Sequence, residues 1–369
     1  MEATVFIGSF YSYISRMDKW DEQKVETFSR GIMEWSKVNP RPMPWKESKD
    51  PYTIWISEII LQQTRVNQGW NYFIEFIDQF PDVNTLAAAS EDEVLSAWEG
   101  LGYYSRARNL HTAANYIVND LGGHFPVTYK DIIRLKGVGP YTAAAIASFA
   151  FNLPHGVVDG NVKRVVARVF GILDPIDDTS IKKYIQELMD CIVTTESPSL
   201  FNQAIMNFGA LQCRPGIPSC NTCSLKEICY AYIEDGVKEI PVKGKKIKRK
   251  KVQMNLGIYT REDSILLIRR EGTGVWKGLY SFPELLGKKS LLNKVTESKL
   301  PLLGSMEWTL SHRDIELNFY QLYSIPEYIR ENKSIAMVKS EKLGKFALPR
   351  PLRLFLEENS RNLGLNEKK

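Results

Sequence analysis

Much of what would move this chain out of the class of folded, non-membrane proteins is missing from it. None of its 369 residues belong to an apolar run long enough to cross a bilayer. The first fifteen residues are mildly apolar at Val5, Phe6, Ile7, Phe10 and Tyr11, yet lack the basic start and long apolar run of a secretory leader. A cytoplasmic location is therefore expected. Met17 is a second candidate start, which would make residues 1–16 an extension. Cysteine is scarce, and four of the five lie between 213 and 229, which argues against a disulfide framework. Strand signals are scarce before residue 250, so that part reads as nearly all helical. Strong charge is also missing, with a net value of only +5. The segment Gly236–Lys251 holds eight Lys or Arg and one Glu, a local +7, so the remainder sums to −2. The basic balance is thus local and not a whole-surface field. Hydrophobic and charged contents of 44% and 25% fit a globular protein, and 369 residues exceed one usual core, so two or three domains are expected.

What is present is organised around Leu135–Val162. Leu135-Lys136-Gly137-Val138-Gly139-Pro140-Tyr141-Thr142 leads into a small, apolar run to Phe151 and then Val158-Asp159-Gly160-Asn161-Val162. Gly137 and Gly139 predict a tight turn with unobstructed backbone N–H groups, and Pro140 suits the first position of a helix. Two short helices joined by Gly-Val-Gly form a helix-hairpin-helix, whose exposed amides suit a DNA phosphate. Such a grip holds backbone and reads no sequence. The same residues also fit a plain glycine turn between core helices. Asp159 favours the first reading, because its carboxylate would face whatever the hairpin holds.

Upstream, Val25, Phe28, Ile32, Trp35 and Val38 recur at helical spacing until Asn39-Pro40. Asp50-Pro51 predicts the cap and first turn of a helix that runs towards Gln62-Gln63-Thr64. Glu58 is the one acid in that almost wholly apolar helix. Either it points outward, or apolar walls desolvate it, raise its pKa and make it a candidate general acid near neutrality. Further helices are predicted over Trp70–Phe80, Glu91–Trp98, Ser105–Leu121, Val162–Val169, Ile181–Val193 and Phe201–Leu211. Tyr103 and Tyr104, in a Gly-flanked loop that ends at Arg106, either stack on bases beside a phosphate-binding Arg or belong to the core.

Cys213, Cys220, Cys223 and Cys229 are spaced C-x6-C-x2-C-x5-C. Four thiolates in one short loop satisfy a tetrahedral zinc or a cubane iron–sulfur centre. Cys191 lies apart and reads as a buried helix residue. The Lys-rich segment 236–251 reads as a solvated tether that can also contact phosphate. From Val252 short strand-like runs appear at Leu256–Tyr259, Ile265–Arg270, Trp308–Leu310 and Ile315–Tyr323. Helices are predicted near Leu291 and over Leu352–Glu357, giving an α+β module.

The Leu-Lys-Gly-Val-Gly-Pro-Tyr and Val-Asp-Gly-Asn-Val motifs resemble the helix-hairpin-helix DNA glycosylase superfamily. Within it, Trp55-Ile56-Ser57-Glu58-Ile59-Ile60-Leu61-Gln62-Gln63-Thr64 is similar to the catalytic helix of the MutY-type adenine glycosylases. The resemblance spans roughly residues 20–358. It implies a mostly α glycosylase domain over 17–235 with a [4Fe–4S] loop at 213–229, the basic linker 236–251, an α+β Nudix-like C-terminal domain over 252–358 and a polar tail from 359. It makes Glu58 the acid that protonates adenine and Asp159 the carboxylate that stabilises or traps the cationic sugar. Tyr141 would seat Asp159 or the sugar, and Asn161 would orient one of the carboxylates. Tyr103 and Gln63 would enter the duplex beside the flipped nucleotide, Lys46 and Gln203 would line the adenine pocket, and the cysteine loop would hold Lys226 near DNA. The expected partner is duplex DNA with 8-oxoguanine:adenine or guanine:adenine mispairs, bound by a monomer with no membrane role.

Three differences from relatives sharpen this. Endonuclease III and the oxoguanine glycosylases carry a Schiff-base Lys where Tyr141 stands, so the resemblance implies base removal without strand cleavage. Lys136 and Lys163 leave incidental lyase activity open. Trp276-Lys277-Gly278-Leu279-Tyr280-Ser281-Phe282-Pro283 looks like the approach to a Nudix box, but Lys288–Lys299 offers only Glu297 as an acid, so nucleotide hydrolysis is not expected. The family's Phe-Ser-His loop, which reads 8-oxoguanine, is here Leu310-Ser311-His312. The alternatives are a bifunctional endonuclease III-like glycosylase/lyase and a non-catalytic DNA-binding relative. Tyr141 and the added C-terminal domain oppose the first, and intact Glu58 and Asp159 oppose the second.

Overall fold

Short polar side chains decide where the helices begin. Asp21 accepts from the Lys24 N–H at 3.0 Å and opens α1 (Glu22–Val38). Asp50 accepts from the Tyr52 and Thr53 N–H groups at 3.3 and 2.8 Å, with Pro51 as the first residue of α2 (Pro51–Ile60). The chain continues through α3 (Val66–Gln79), α4 (Val83–Ala88), α5 (Glu91–Ala97), α6 (Ser105–Asp120), α7 (Tyr129–Ile132), α8 (Pro140–Phe151) and α9 (Gly160–Phe170). It then forms α10 (Thr179–Ile192), α11 (Pro198–Leu211) and α12 (Tyr230–Ile233). Strands β1 (Lys250–Ile258), β2 (Thr260–Arg261), β3 (Ser264–Arg269), β4 (Tyr280–Ser281), β5 (Leu302–Thr309) and β6 (Arg313–Gln321) follow, then α13 (Glu327–Arg330), β7 (Ile335–Lys339) and α14 (Arg350–Asn359).

This computed structural model describes residues 21–43, 48–62, 64, 66–193, 197–244, 249–272, 274–285, 300–331 and 334–366. The chain forms two compact units, Met1–Gln63 with Tyr116–Lys245, and Thr64–Asn115 with Lys246–Lys369. In the first, Phe28 and Ile32 of α1, Val162, Val165 and Val166 of α9, Leu188 of α10, and Phe201, Ile205 and Phe208 of α11 share one core. Residues Thr142–Phe149 of α8 are all buried, and five are Ala or Ser, so α2 can lie close against it. No described helix is long and apolar enough to span a membrane.

In the second unit β6 lies between β1, to which it runs parallel, and antiparallel β5; Leu256 pairs with Phe319 and Trp308 with Ile315. β3 pairs antiparallel with β2, β4 and β7. Phe319 stacks on Phe355 of α14 over this core. Arg353 of α14 grips Glu99 through two charge-assisted bonds of 2.6 and 2.8 Å, and Arg269 of β3 pairs with Glu91 and Asp92 of α5 at 2.9 and 3.0 Å. The Tyr104 hydroxyl donates to the Leu348 carbonyl at 3.2 Å. These contacts fix the Tyr103 loop and the sheet module within one body.

The predicted helices that fall on described residues are present with shifted ends. The sequence reading misses α4, α12, α13, β2 and β7, all short. β1 begins at Lys250, so the last two lysines of the basic segment belong to a strand. Leu363 and Leu365 are buried in the C-terminal core, so the described residues beyond 358 reach that core and are not a purely polar tail. The expected helix near Leu291 lies outside the described residues.

Candidate active site

Four of the residues singled out from the sequence meet in the first unit. Glu58 is only 6% exposed on α2, whose apolar neighbours enclose it. Tyr141, the residue after Pro140, donates its hydroxyl to Glu58 Oε2 at 2.6 Å. The resemblance implied that Tyr141 seats Asp159 or the sugar; its hydroxyl bond goes to Glu58, because the close α2–α8 packing puts the phenol over the glutamate. Burial pushes Glu58 up to about 7, with the Tyr141 bond pulling it down and a smaller upward push from Asp159. Burial and the neighbouring carboxyls keep the Tyr141 phenol neutral and a donor.

Asp159 caps α9. Its Oδ1 accepts from the Val162 N–H at 2.7 Å and its Oδ2 from Asn161 Nδ2 at 2.8 Å. Burial raises its pKa, against the pull of those donors and of Arg164. The carboxyls therefore have unequal surroundings: Glu58 has one neutral donor, whereas Asp159 has amide donors and a nearby cation. Such a pair favours the proton on Glu58 and the charge on Asp159.

Arg164 was not singled out in the sequence. It is 9% exposed and donates to Asn161 Oδ1 at 2.9 Å, to the Gly209 carbonyl at 2.7 Å and to the Cys213 carbonyl at 2.9 Å. A β-carbon at Gly209 would fall 2.7 Å from Asn161 Cβ, so glycine there permits the close α9–α11 crossing. Arg164 thus ties the residue that holds Asp159 to the start of the cysteine loop. Asn202, fully buried, fixes the approach to Asp159 by accepting from the Val157 N–H at 3.0 Å and donating to the His155 carbonyl at 2.8 Å.

The hairpin is as expected. Gly137 takes φ +81°, which a side chain would resist, and Gly139 caps α8 with open space where a side chain would stand. Among the described residues no side chain caps that N-terminus. Gln203 is half-buried on α11 and donates to Ser199 Oγ at 3.3 Å. Lys46 and Gln63 lie outside the described residues.

Cys213, Cys220, Cys223 and Cys229 line one small apolar cavity with Arg168, Phe208 and Leu225. All four are free, and Cys191 is buried as expected. Arg168 is 3% exposed and donates to Cys213 Sγ at 3.4 Å; the Leu225 N–H donates to Cys223 Sγ at 3.4 Å. No three of the described His, Cys, Asp and Glu residues are grouped to hold a single metal ion.

A second site lies in the other unit. One cleft is lined by Tyr103, Arg108, Trp276, Lys277, Ser311 and His312, among others. Tyr103 is 47% exposed and takes φ +49°. Leu310-Ser311-His312 forms the tip between β5 and β6, where the Leu310 N–H donates to the Arg313 carbonyl at 2.7 Å. Ser311 Oγ and His312 Nδ1 are 3.1 Å apart. Leu310 packs on the module's core.

The family described as "HhH-GPD superfamily base excision DNA repair protein" matches residues 56–191, and the "NUDIX domain" family matches 255–358. An adenine DNA glycosylase of Buchnera aphidicola subsp. Baizongia pistaciae is 35% identical, over 84% of this chain and 90% of its own length. The adenine DNA glycosylase of Homo sapiens is 32% identical, over 83% of this chain and 68% of its own length. The solved structure of a thermostable thymine-DNA glycosylase aligns with a TM-score of 0.53 at 29% identity, covering 57% of this chain and 98% of that one.

Proposed function

We propose that this chain, which belongs to the adenine DNA glycosylase family, removes adenine opposite 8-oxoguanine, or guanine, by acid-assisted cleavage of the N-glycosidic bond without cutting the strand. It is a DNA glycosylase of base excision repair. The observation that carries the mechanism is the unequal carboxyl pair. Glu58, with its pKa near neutrality, supplies the proton to the departing adenine. Asp159 faces the cationic sugar as a carboxylate, either stabilising it or trapping it briefly. Tyr141 holds the Glu58 carboxyl in place, and Asn161 and Arg164 hold Asp159. The target base must first leave the stack, at a cost of a few kcal/mol. Tyr103 fills the gap it leaves, the Gly137–Gly139 hairpin grips a phosphate, and Ser311 and His312 contact the base opposite.

Tyr141 supports the monofunctional reading, since a phenol forms no Schiff base. Lys163 is half-buried and its pKa is lowered by burial, so an amine is also close to Asp159. Single-turnover excision on a duplex with one 8-oxoguanine:adenine pair, assayed with and without alkali, separates the two. Strand breaks only after alkali are expected; equal breaks without alkali would make the enzyme a glycosylase/lyase.

The cysteine cavity fits an iron–sulfur cluster: four sulfurs surround one cavity, two of them accept N–H donors, and their spacing is that of the [4Fe–4S] loop in the resembling family. Cys213, Cys220, Cys223 and Cys229 would hold a [4Fe–4S] cluster, whose part here is to cross-link the loop that Arg164 and Arg168 anchor. Purified protein is expected to carry iron and acid-labile sulfide in equal amounts; stoichiometric zinc would contradict this.

His312→Ala is expected to erode the preference for 8-oxoguanine:adenine over guanine:adenine by roughly tenfold, the worth of one recognition contact of about 1–3 kcal/mol. The ratio of single-turnover rates on the two duplexes measures it, and an unchanged ratio would remove His312 from recognition.

A further inference from the structure

Arg106 stands in the first turn of α6, where the helix dipole disfavours a cation. Its surroundings are correspondingly specific. The guanidinium lies over the Trp98 ring, 5.2 Å from its centroid, and over the Tyr103 ring at 5.8 Å. Trp98 is fully buried and packs edge-on against Phe76. Arg106 Nη2 also donates to the Leu101 and Gly102 carbonyls at 3.3 and 3.2 Å, and Trp98 Nε1 donates to the same Gly102 carbonyl at 3.1 Å. In the loop these bonds hold, Gly100 and Gly102 take φ of +95° and +71° without cost, whereas Tyr103 is held at φ +49°. A left-handed tyrosine persists only where its surroundings impose that conformation.

We propose that Arg106 is a positioning residue for Tyr103, holding the exposed ring from below against Trp98 so that it is already set to enter the base stack. The inference rests on the reading of Tyr103 as the inserted ring. A planar fork suits both tasks, stacking between two rings while bonding two carbonyls; a lysine keeps the charge but neither the plane nor the fork. Burial pushes the Arg106 pKa down to about 10, which leaves it a cation at neutral pH. Presetting the ring removes the ordering cost that a mobile tyrosine meets on insertion.

The test compares single-turnover excision of adenine opposite 8-oxoguanine with excision of adenine opposite a reduced abasic site, where no pair need be broken. Arg106→Gln is expected to slow the paired substrate by about tenfold and the unpaired one by no more than about twofold, with Arg106→Lys intermediate. Adding Arg106→Gln to Tyr103→Ala should slow the paired substrate no further. Equal slowing on both substrates, additive losses in the double variant, or a wild-type rate for Arg106→Gln would each overturn the proposal. Tyr103→Ala alone tells the two readings apart. A wild-type rate there overturns the inserted ring and this inference with it, whereas a slow Tyr103→Ala beside a fast Arg106→Gln overturns the inference alone.

Discussion

Glu58→Gln is expected to lower single-turnover adenine excision by roughly 10²–10⁴-fold, the usual worth of a general acid, while leaving affinity for the mispaired duplex within severalfold. The amide keeps the shape of the side chain and an oxygen to accept the Tyr141 hydroxyl, so the α2–α8 contact survives. What it loses is an acidic proton. The same change should stabilise the protein at alkaline pH. The Glu58 pKa is higher in the folded chain, at about 7, than its ordinary 4.5. Its contribution to stability is therefore intact below pH 4.5 and is lost as pH rises through about 7. Above that window the buried carboxylate costs up to about 3 kcal/mol, which the glutamine relieves. Thermal unfolding at pH 5 and pH 8 measures the effect: the variant should gain on wild type only at the higher pH. Unimpaired excision would take Glu58 out of the mechanism, whatever the melting curves show.

The second large effect is expected from Asp159→Asn, a loss of roughly 10²–10³-fold in the same assay, comparable with removing one preorganised electrostatic partner of a transition state. Asparagine is as good a helix cap as aspartate, so the Val162 bond and the start of α9 should persist. Because the Asp159 charge helps to raise the Glu58 pKa, its removal should also move the Glu58 titration down, though not to 4.5, since burial is the larger cause. A residual rate whose alkaline limb lies below that of the wild type would show the two carboxyls acting as a pair. An unshifted limb would mean that they titrate independently.

How much of this was readable depends on how local each signal is. Glu58 was legible because an acid in an otherwise apolar helix has few places to go, and Pro140 and Asp159 because caps and first turns are written within a few residues. Arg164 was not. In Gly160–Phe170 it sits with Lys163 and Arg168 and reads as a solvent-facing basic edge, yet Arg164 and Arg168 turn inward to carbonyls between 45 and 72 residues away. The Tyr141–Glu58 bond was not legible for the same reason: it spans 83 residues and follows from helix packing that no local pattern encodes. The stacking of Arg106 escaped because its residues looked like a glycine-rich loop, and only the left-handed backbone at Tyr103 reveals the strain. Leu363 and Leu365 were lost in a charged C-terminal stretch whose two leucines reach the core.

The pH dependence of single-turnover excision by the wild-type enzyme, on a duplex with one 8-oxoguanine:adenine pair, tests the central claim most directly. With Glu58 as the acid, the rate should level off below about pH 7 and fall by about tenfold per unit above it, as the carboxyl loses its proton. The small residual rate of Glu58→Gln should lack that limb. A wild-type rate that holds level to pH 9, or an unchanged alkaline limb in Glu58→Gln, would contradict protonation of the leaving adenine by Glu58.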